Sequence, residues 1–532
     1  MGAVFLYREH AETDVNNAMA VFNRMGFTMP VSFECGGWRI MSFNKLAAAD
    51  DSFYRSGDAF IISVGMPVYK GLGYAETLAA LLEDHQKGSL KYDELFGHYN
   101  LFFCVSGELT VISDEWNEKH LFTDTRFRII SSSMLAVAAT MTDRLTVNRT
   151  AVYEKLLTGI IMPPDTIFNE IMQIDNSVMA SINREERNVR FAIAPQKSFS
   201  EEPHKAGRAA SVKAQAQTLL NYFEKLKSAA KDGVDTGLSG GYDSRLILAC
   251  ANKVFGDKLH LHTHNTEDVH NKDKRIAMMM AGYVKKNCVA VPTKRLNHIE
   301  DVDKTLIDNV LLFDGRTSFS IGGFSETYTA NYRKTATAAL PLTLTGVGGE
   351  LYRNVFSVSG KYVEFRKFLQ TKVFFPEFQE AVGSDIYESA CRNVFNKVEK
   401  RLGIDIGAKL NINMTHRYYC EIMMPDGQGN VLDAYNQVSG CIAPFLDLSV
   451  IREGYRGLKY HGSGGDYEGA IIDFIDSGLA SITSSYGYPL NSRPLKARIK
   501  ERLRSEIPPS FWHVLHRIKE RGKPVSNCGS YL

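Results

Sequence analysis

The chain has 532 residues, of which 44% are hydrophobic, 11% aromatic and 23% charged, with 62 Lys and Arg against 60 Asp and Glu. These proportions are those of a folded globular protein and exclude a disordered, collagenous or coiled-coil chain. The formal charge of +2 argues against a protein held on nucleic acid or an anionic membrane by bulk electrostatics. Single hydrophobic cores rarely grow to this length, so two domains are expected.

Neither the N-terminal sequence MGAVFLYREHAETD nor any later stretch has the pattern of a secretory signal or the roughly 20 apolar residues of a membrane helix. The eight cysteines lie far apart, without a C-x-x-C pair or zinc-ligand spacing, which predicts reduced thiols. Cys35 and Cys104 are therefore interpreted as ordinary core or surface cysteines. A cytoplasmic protein is expected.

From the N-terminus to about residue 195, short β segments predict stacked antiparallel sheets. Runs rich in Val, Ile, Phe and Tyr recur about every ten residues between Gly, Asp and Ser breaks. They are AFIISVG, YNLFFCVSG, ELTVISDE, HLFTDT, FRIISSS and SVMASINREERNVRFAI. Helices are predicted at 75–86 and 150–158, and the polar residues 196–210 are expected to form a linker.

From residue 211 onward the pattern changes to alternating helices and strands. Helices are predicted at 211–232, 242–255 and 271–287, and strands at 233–238, 258–265 and 288–293. Strand–helix–strand units of this length need right-handed crossovers, which give a parallel sheet with helices on both faces. The ligand of such a sheet lies at the carboxyl ends of its strands.

The sharpest motif, Ser239-Gly240-Gly241-Tyr242-Asp243-Ser244, joins the strand that ends at Leu238 to the next helix. Adjacent glycines allow the backbone to approach a ligand closely, and the helix start offers unpaired N–H groups and a positive dipole end. The serines add hydroxyl donors, and Asp243 can hold a metal ion that bridges phosphates. No G-K-[ST] follows, so the loop is a pyrophosphate site of a kind other than a Walker loop.

Three later blocks accompany this loop, in the order Thr345-Gly346-Val347-Gly348-Gly349-Glu350-Leu351, Pro444-Phe445-Leu446-Asp447, and Pro508 with Arg517-Ile518-Lys519. Together the four blocks resemble the asparagine synthetase family, which includes β-lactam synthetases and lasso-peptide cyclases. In that family they are the ATP-pyrophosphatase (PP) loop, the S-G-x-G-x-D motif, the P-F-L-D segment and the late P…R-x-K stretch. The resemblance implies activation of a carboxylate as an acyl-adenylate, release of pyrophosphate and formation of an amide.

The resemblance extends upstream, where LFGHYNLFFCVSGELTVISDEWNEKHLF and LTGIIMPPDTIFNEIMQIDNSVMASI are similar to the family's glutaminase half. It implies an α/β protein with an N-terminal αββα sandwich like that of Ntn hydrolases. A parallel-sheet PP-loop synthetase domain, like that of the adenine nucleotide alpha hydrolases, follows. The expected domains are 1–200, glutaminase-like, and 211–532, the ATP-binding amide ligase.

The glutaminase half departs from the family pattern and is expected to be inactive. Glutamine-using members begin with a cysteine, whose thiol attacks the amide and whose own α-amine is the base. Here Gly2 follows Met1, and the family's N-G-E-I-Y-N block is Val64-Gly65-Met66-Pro67-Val68-Tyr69, without the asparagine that stabilises the oxyanion. The amine is therefore expected to be ammonia or an amine of a substrate.

The expected activity is that of an ATP-dependent, AMP-forming carbon–nitrogen ligase in peptide, natural-product or sugar modification. Its partners would be a small-molecule or peptide carboxylate and an amine, without nucleic acid or membrane, and a homodimer is compatible with the sequence. An intramolecular cyclase of the lasso-peptide or β-lactam type and a nucleotide-binding pseudoenzyme are the alternatives. Val347 stands where β-lactam synthetases have tyrosine and asparagine synthetases an acid. A tRNA-thiolation chemistry is disfavoured, because those proteins lack the N-terminal half and no thiol pair is present.

The resemblance also assigns the site residues. Asp243 and Glu350 would hold Mg²⁺, and Lys519 would stabilise charge on the α-phosphate. Residues expected to bind ATP and its pyrophosphate are Leu238, Ser239, Gly240, Gly241, Asp243, Ser244, His264 and Gly346. For His264 a solvent-capped strand end is an equally good interpretation.

Two further regions have two interpretations each. The basic residues between 493 and 523 form a solvated helix face or a lid that orders over the triphosphate. Residues 313–323 and 410–440 are expected to form the pocket for the acid, with Arg316, Ser318 and Ser320 as contacts, although a structural loop explains them equally well.

Overall fold

In a computed structural model, the structure describes residues 2–8, 14–47, 50–141, 145–185, 188–193, 205, 207–266, 271–293, 301–316, 322–336, 340–356, 364–462, 464–497 and 499. No helix in this described part of the chain is long and apolar enough to cross a membrane. The expected linker at 196–210 lies largely outside it, so the domain boundary stays a prediction.

Strands and short helices alternate in the N-terminal half. The strands are β1 (Ala3–Arg8), β2 (Val31–Cys35), β3 (Trp38–Phe43), β4 (Phe53–Ser56), β5 (Ala59–Tyr69), β6 (Leu95–Val105), β7 (Glu108–Ser113), β8 (Phe122–Asp124), β9 (Ile129–Ser131), β10 (Ile171–Gln173) and β11 (Val189–Ile193). The helices are α1 (Val15–Met25), α2 (Tyr74–Gln86), α3 (Met134–Ala139), α4 (Arg149–Thr158) and α5 (Asn176–Arg184).

These strands form two stacked sheets. One has the order β10-β8-β9-β1-β3-β2 and the other β11-β7-β6-β5-β4, and all described pairs are antiparallel except β11 with β7. A buried apolar core that includes Leu6, Ile40, Ile62 and Phe102 separates the sheets. Helices α1 and α3 cover the first sheet, and α2 packs on the second. The predicted αββα layering is confirmed.

Two sequence-based expectations for this half are wrong. Residues 176–184 are helix α5, not a strand, because Asp175 caps the N-terminus and Val178, Met179 and Ile182 share a buried helical face. Cys35 and Cys104 are joined in a disulfide between β2 and β6, so these two thiols are not reduced. Because 69 residues separate the two cysteines in the chain, cysteine spacing in the sequence does not reveal that they are close in space.

The C-terminal half is mainly helical around a small sheet. Its strands are β12 (Val234–Gly237), β13 (Leu259–Thr266), β14 (Cys288–Thr293), β15 (Leu342–Leu344) and β16 (Gly440–Ile442). Its helices are α6 (Arg208–Lys225), α7 (Asp243–Phe255), α8 (Lys272–Tyr283), α9 (Val302–Leu312), α10 (Gly322–Ala336), α11 (Phe365–Phe368), α12 (Pro376–Val382), α13 (Ser384–Leu402), α14 (Ile412–Tyr418), α15 (Gly429–Val438), α16 (Leu448–Arg456), α17 (Asp466–Ile475) and α18 (Ser477–Ser481). A π-helix at Tyr419–Gln428 connects α14 to α15.

The sheet of this half has the order β14-β13-β12-β15-β16, and every pairing in it is parallel. The predicted α/β class with a parallel sheet is therefore confirmed. The order reverses at β12, which puts β15, from later in the chain, beside the strand that precedes the glycine-rich loop. Ligands of open parallel sheets bind at such a reversal, outside the carboxyl ends of the strands.

The two halves share buried contacts. The largest apolar core contains residues of both, from Ile61 in β5 to Ile472 in α17. Lys45, 4% exposed, donates hydrogen bonds to Oδ1 of Asn436 at 2.9 Å and to the carbonyl of Ser439 at 2.7 Å. Separating the two halves would leave these buried polar groups without partners, which is costly, so the contacts hold the halves together.

Candidate functional site

The loop at 239–244 begins at a firmly anchored strand end. The amide of Leu238 donates to the carbonyl of His262 at 2.7 Å, and the hydroxyl of Thr263 donates to the carbonyl of Leu238 at 2.8 Å. Leu238 is 4% exposed. The loop therefore leaves β12 at the carboxyl edge of the parallel sheet, and α7 begins at Asp243.

The loop is closed by its own hydrogen bonds. The amide of Ser239 donates to Oγ of Ser244 at 3.1 Å, the two hydroxyls are 2.9 Å apart, and the amide of Gly241 donates to Oγ of Ser239 at 3.3 Å. The amide of Gly240 donates to Oδ1 of Asp273, in the first turn of α8, at 2.9 Å. A phosphate oxygen must therefore compete with Asp273 for the Gly240 amide.

Asp243 is packed against the second glycine-rich block, which follows β15. A Cβ at Gly349 would lie 2.1 Å from Oδ1 of Asp243, and one at Gly346 would lie 3.2 Å from Cβ of Asp243. Contacts this short leave room only for glycine at position 349. The two motifs meet although about 100 residues separate them, because β12 and β15 are neighbours in the sheet.

Arg353 forms an ion pair with Asp243 through its Nη2, and its Nε lies 3.3 Å from Oε2 of Glu468 in α17. Glu468 is fully buried. Burial and the charge of Asp243 raise the pKa of Glu468 well above its ordinary value. Although burial opposes it, the negative charges of Glu468 and Asp243 raise the pKa of Arg353. Burial and Asp243 thus oppose the negative charge of Glu468, whereas the guanidinium of Arg353 favours it.

Glu350 is fixed by the π-helix. The hydroxyl of Tyr419, which is 3% exposed, donates a 2.6 Å hydrogen bond to Oε2 of Glu350. Burial and the nearby charge of Glu350 raise the pKa of Tyr419 well above its ordinary value. The phenol therefore stays protonated and acts as a donor that orients Glu350.

Magnesium, which the resemblance implies, suits these donors. Mg²⁺ is commonly held by one or two carboxylates together with phosphate oxygens of a substrate. Asp243 and Glu350 lie on motifs that are packed together, since Gly346 and Gly349 are in contact with Asp243. Within the described residues no group of three or more His, Cys, Asp or Glu side chains is arranged to hold a metal ion. The pair fits a cation that arrives with a nucleotide.

His264 lies near the carboxyl end of β13 and is partly buried. Its Nε2 lies 3.4 Å from the hydroxyl of Thr329, and its Nδ1 is buried without a hydrogen-bond partner within the described residues. Burial, together with His262 and Arg333, lowers the pKa of His264 to about 4. His264 is therefore a neutral imidazole near pH 7.

The P-F-L-D segment lies directly under the second glycine-rich block. A Cβ at Gly348 would lie 2.6 Å from Cδ2 of Leu446 and 3.3 Å from Cβ of Phe445. Gly348 also has φ +91°, a left-handed conformation that favours glycine. Asp447 caps α16 by accepting from the amide of Ser449 at 2.9 Å, which gives it a structural role.

Several predicted residues lie outside the described part of the chain. These are Lys519, Ser318, Ser320 and nearly all of the C-terminal basic run. Arg493, at the start of that run, pairs with Asp466 at 3.1 Å. Arg316 is described: its Nη2 pairs with Oδ2 of Asp433 at 2.9 Å, and its Nη1 donates to Oδ1 of Asn430 at 2.7 Å.

Residue 2 leaves no room for a nucleophile. A Cβ at Gly2 would lie 2.4 Å from the carbonyl oxygen of Asn44 and 2.6 Å from the ring of Phe27. The block at 64–69 lies in β5, which is buried over its whole length. Both observations agree with the expectation of an inactive glutaminase half, which stays a prediction.

Arg353, Tyr419 and Glu468 are site residues that sequence reasoning missed. Each occurs in an unremarkable helical or turn context, far from the glycine-rich loop in the chain. The one available signal was the proximity of Arg353 to the second glycine-rich block. Glu468 and Tyr419 carried no signal of their own.

Comparisons with known proteins do not assign the chain to a family. No protein-family model and no curated protein matches the sequence. The solved structure of the U34-tRNA thiolase NcsA from Methanococcus maripaludis, with its [4Fe-4S] cluster, aligns at 10% identity and a TM-score of 0.24 over 61% of this chain and 89% of that one. Glutamine PRPP amidotransferase from B. subtilis, complexed with ADP and GMP, aligns at 12% identity and a TM-score of 0.22 over 49% of this chain and 65% of that one. Likenesses this weak carry no functional argument, which therefore depends on the site itself.

Proposed function

We propose that the chain is an ATP-dependent, AMP-forming amide ligase whose amine is ammonia or a substrate amine rather than a product of glutamine hydrolysis. One observation carries this proposal. The loop at 239–244 and the second glycine-rich block, which contains Glu350, meet at Asp243 at the carboxyl edge of the parallel sheet. A phosphate loop packed against a second motif, with an acid on each, is suited to pyrophosphate release.

In the proposed reaction, a carboxylate oxygen of the substrate attacks the α-phosphorus of ATP, and the bond to pyrophosphate breaks. The dipole of α7 and the hydroxyls of Ser239 and Ser244 face the departing pyrophosphate. Asp243 and Glu350 would hold Mg²⁺, which would supply positive charge to stabilise the phosphates. An amine then attacks the acyl carbon, AMP leaves, and the amine loses a proton.

Charge balance around the loop supports this role. Arg353 pairs with Asp243 and also lies against Glu468, so one cation offsets part of the negative charge of this group. Without this cation, the acids would repel a polyphosphate more strongly. Lys519, carried over from the resemblance, would stabilise the α-phosphate.

The test is exchange of labelled pyrophosphate into ATP by the purified full-length chain, with Mg²⁺ and sets of candidate carboxylates. We expect exchange that depends on the acid, and AMP as the product when an amine or ammonium is added. Asp243→Asn, which preserves side-chain size, should abolish exchange. As a control, Asp257→Asn changes an exposed acid, paired with Lys286, at the end of α7 and should leave exchange unchanged.

Three outcomes contradict the proposal or refine it. Formation of ADP instead of AMP refutes it. ATP binding without exchange under any acid identifies the pseudoenzyme alternative. A product that has lost water within a single substrate molecule identifies the intramolecular cyclase.

A further inference from the structure

The side chain of Lys272 lies beside the glycine-rich loop, although it belongs to the next helix along the chain. Lys272 is the first residue of α8, and its Nζ donates a hydrogen bond to the backbone carbonyl of Ser485. The amide of Ser485 in turn donates to the carbonyl of Gly240 at 2.9 Å. A Cβ at Gly240 would lie 2.8 Å from Cβ of Ser485. A single residue, Ser485, therefore joins the ammonium of Lys272 to the backbone of the loop.

The turn at 484–488, which supplies this carbonyl, is fixed by its own contacts. The amide of Ser484 donates to the carbonyl of Tyr488 at 2.9 Å, and its hydroxyl donates to the same carbonyl at 2.7 Å. The ring of Tyr486 packs against that of Tyr242 in the loop, with the ring centroids 5.3 Å apart. The turn thus holds the lysine in a defined place relative to the loop.

The charge of Lys272 is available to a ligand. Within the described residues no carboxylate pairs with it, and the side chain is exposed. An ammonium group has three N–H donors, of which the carbonyl of Ser485 uses one. Arg353, by contrast, already contacts both Asp243 and Glu468. Lys272 is therefore a cation at the loop with free donors.

Helix stability does not explain a lysine at this position. Cations are unfavourable at the N-terminus of a helix, where the dipole is positive, and Lys272 is the first residue of α8. The next residue, Asp273, accepts from the amide of Gly240 at 2.9 Å. Because this acid occupies a donor that a phosphate loop would otherwise offer, an anion needs a replacement donor at the same place. The adjacent ammonium can supply it.

We propose that Lys272 binds the pyrophosphate part of ATP, with its ammonium donating to a phosphate oxygen while it keeps its hydrogen bond to Ser485. It would continue to hold pyrophosphate after the bond to the α-phosphorus has broken. This role differs from that of Lys519, which the family resemblance places on the α-phosphate. The role of Lys272 in turnover rests on the proposed amide-ligase reaction, whereas its binding of free pyrophosphate requires only the loop.

The test is isothermal titration of the full-length chain with sodium pyrophosphate in the presence of Mg²⁺, combined with exchange of labelled pyrophosphate into ATP. Lys272→Met removes the charge and keeps most of the apolar stem. We expect it to weaken binding of pyrophosphate about tenfold or more and to raise the KM for pyrophosphate in exchange by a similar factor. Lys272→Arg, which keeps the charge, should recover most of the affinity.

Lys253→Met is the matched control, because Lys253 is an exposed lysine in the last turn of α7, at the end of that helix remote from the loop. It should leave both measurements unchanged.

The outcomes separate this role from the proposed function. Weaker binding of pyrophosphate in Lys272→Met, restored in Lys272→Arg, supports the role of Lys272 even if no acid allows exchange, a result that would count against the amide ligase alone. Equal affinity in Lys272→Met and the natural chain overturns the role of Lys272, even if exchange takes place. The same conclusion follows if the natural chain does not bind pyrophosphate, or if Lys272→Arg binds as weakly as Lys272→Met.

Discussion

Tyr419 donates a 2.6 Å hydrogen bond to Glu350, and this contact joins a π-helix to the second glycine-rich block across 69 residues of chain. The phenol remains a donor because burial and the charge of Glu350 raise its pKa. Tyr419 therefore holds the carboxylate of Glu350 in one orientation, on the block whose glycines pack against Asp243.

Replacing Tyr419 by Phe should lower the rate of pyrophosphate exchange about tenfold or more, with ATP binding little changed. A hydrogen bond to a charged group is worth about 1.5–3 kcal/mol, and its loss lets Glu350 adopt other orientations. Tyr283→Phe removes a comparable 2.9 Å donation to Asp476 on the surface and serves as the control. Equal exchange rates in the two variants would show that Glu350 needs no such support.

Replacing Arg353 by Met should lower the free energy of unfolding by about 3 kcal/mol, because it leaves Asp243 and buried Glu468 without a cation. The double variant Arg353→Met/Glu468→Gln should recover at least half of that loss, since a neutral amide needs no counter-charge. Urea unfolding of both proteins measures the difference. A single variant within about 0.5 kcal/mol of the natural chain would contradict this account of the charge group.

Replacing Gly349 by Ala should lower pyrophosphate exchange by about 100-fold, because the new methyl group would displace the Asp243 carboxylate by an ångström or more. Gly282→Ala is the control: it lies in α8, and a Cβ there would meet nothing within 4 Å. That variant should keep full activity and gain slightly in stability. Measurement of exchange and of thermal unfolding for both variants separates displacement of Asp243 from a general loss of folding.

The free energy of unfolding should fall as the pH is lowered from 6.5 toward 4. Burial lowers the pKa of His416, which is 2% exposed, from 6.5 to about 4. Above pH 6.5 the His416 imidazole is neutral in both the folded and the unfolded chain, so its contribution to stability is fully present. Between pH 6.5 and 4 the imidazole binds a proton in the unfolded chain but not in the folded chain. The free energy of unfolding therefore falls by about 3 kcal/mol because of this residue. His461 contributes in the same direction, because burial and His416 lower its pKa.

Urea unfolding at pH 7 and at pH 4 measures this dependence. The variant His416→Phe keeps an aromatic ring against Tyr455 and His461 but cannot bind a proton. Its loss of stability between the two pH values should be smaller than that of the natural chain. An identical loss would mean that other groups control acid unfolding.

Replacing Lys519 by Ala should abolish pyrophosphate release while ATP binding stays largely intact, if the family resemblance assigns the lysine correctly. Lys523→Ala, four residues further along the same basic run, is the control and should retain activity. Binding of ATP is measured by titration and release by a coupled pyrophosphate assay. Unchanged turnover in Lys519→Ala would remove this residue from the proposed mechanism.

Local patterns were enough for most of the parallel-sheet half. The strand at 288–293 was predicted with the bounds that the structure has, and α7, α8, β12 and β13 fall where periodicity placed them. The secondary structure of each of these segments is determined by residues close to it in sequence. The signals are the spacing of apolar residues, the glycines that end an element and the residues that begin a helix. Helix α5 differs from the predicted strand because its apolar residues suit either structure, and only the Asp175 cap marks the start of a helix.

The sequence by itself determined the α/β class, the glycine-rich loop and the absence of a side chain at Gly2, because each of these depends on residues that are close together in the chain. Tertiary structure alone decided that Asp273 accepts a hydrogen bond from the Gly240 amide, and that Cys35 forms a disulfide with Cys104. It also brought Arg353 and Glu468 to Asp243. The physical reason is that ion pairs, disulfides and buried acids depend on distances between segments that are far apart in the chain. These distances are set only when the strands take their order in the sheets, as when β15 lies beside β12.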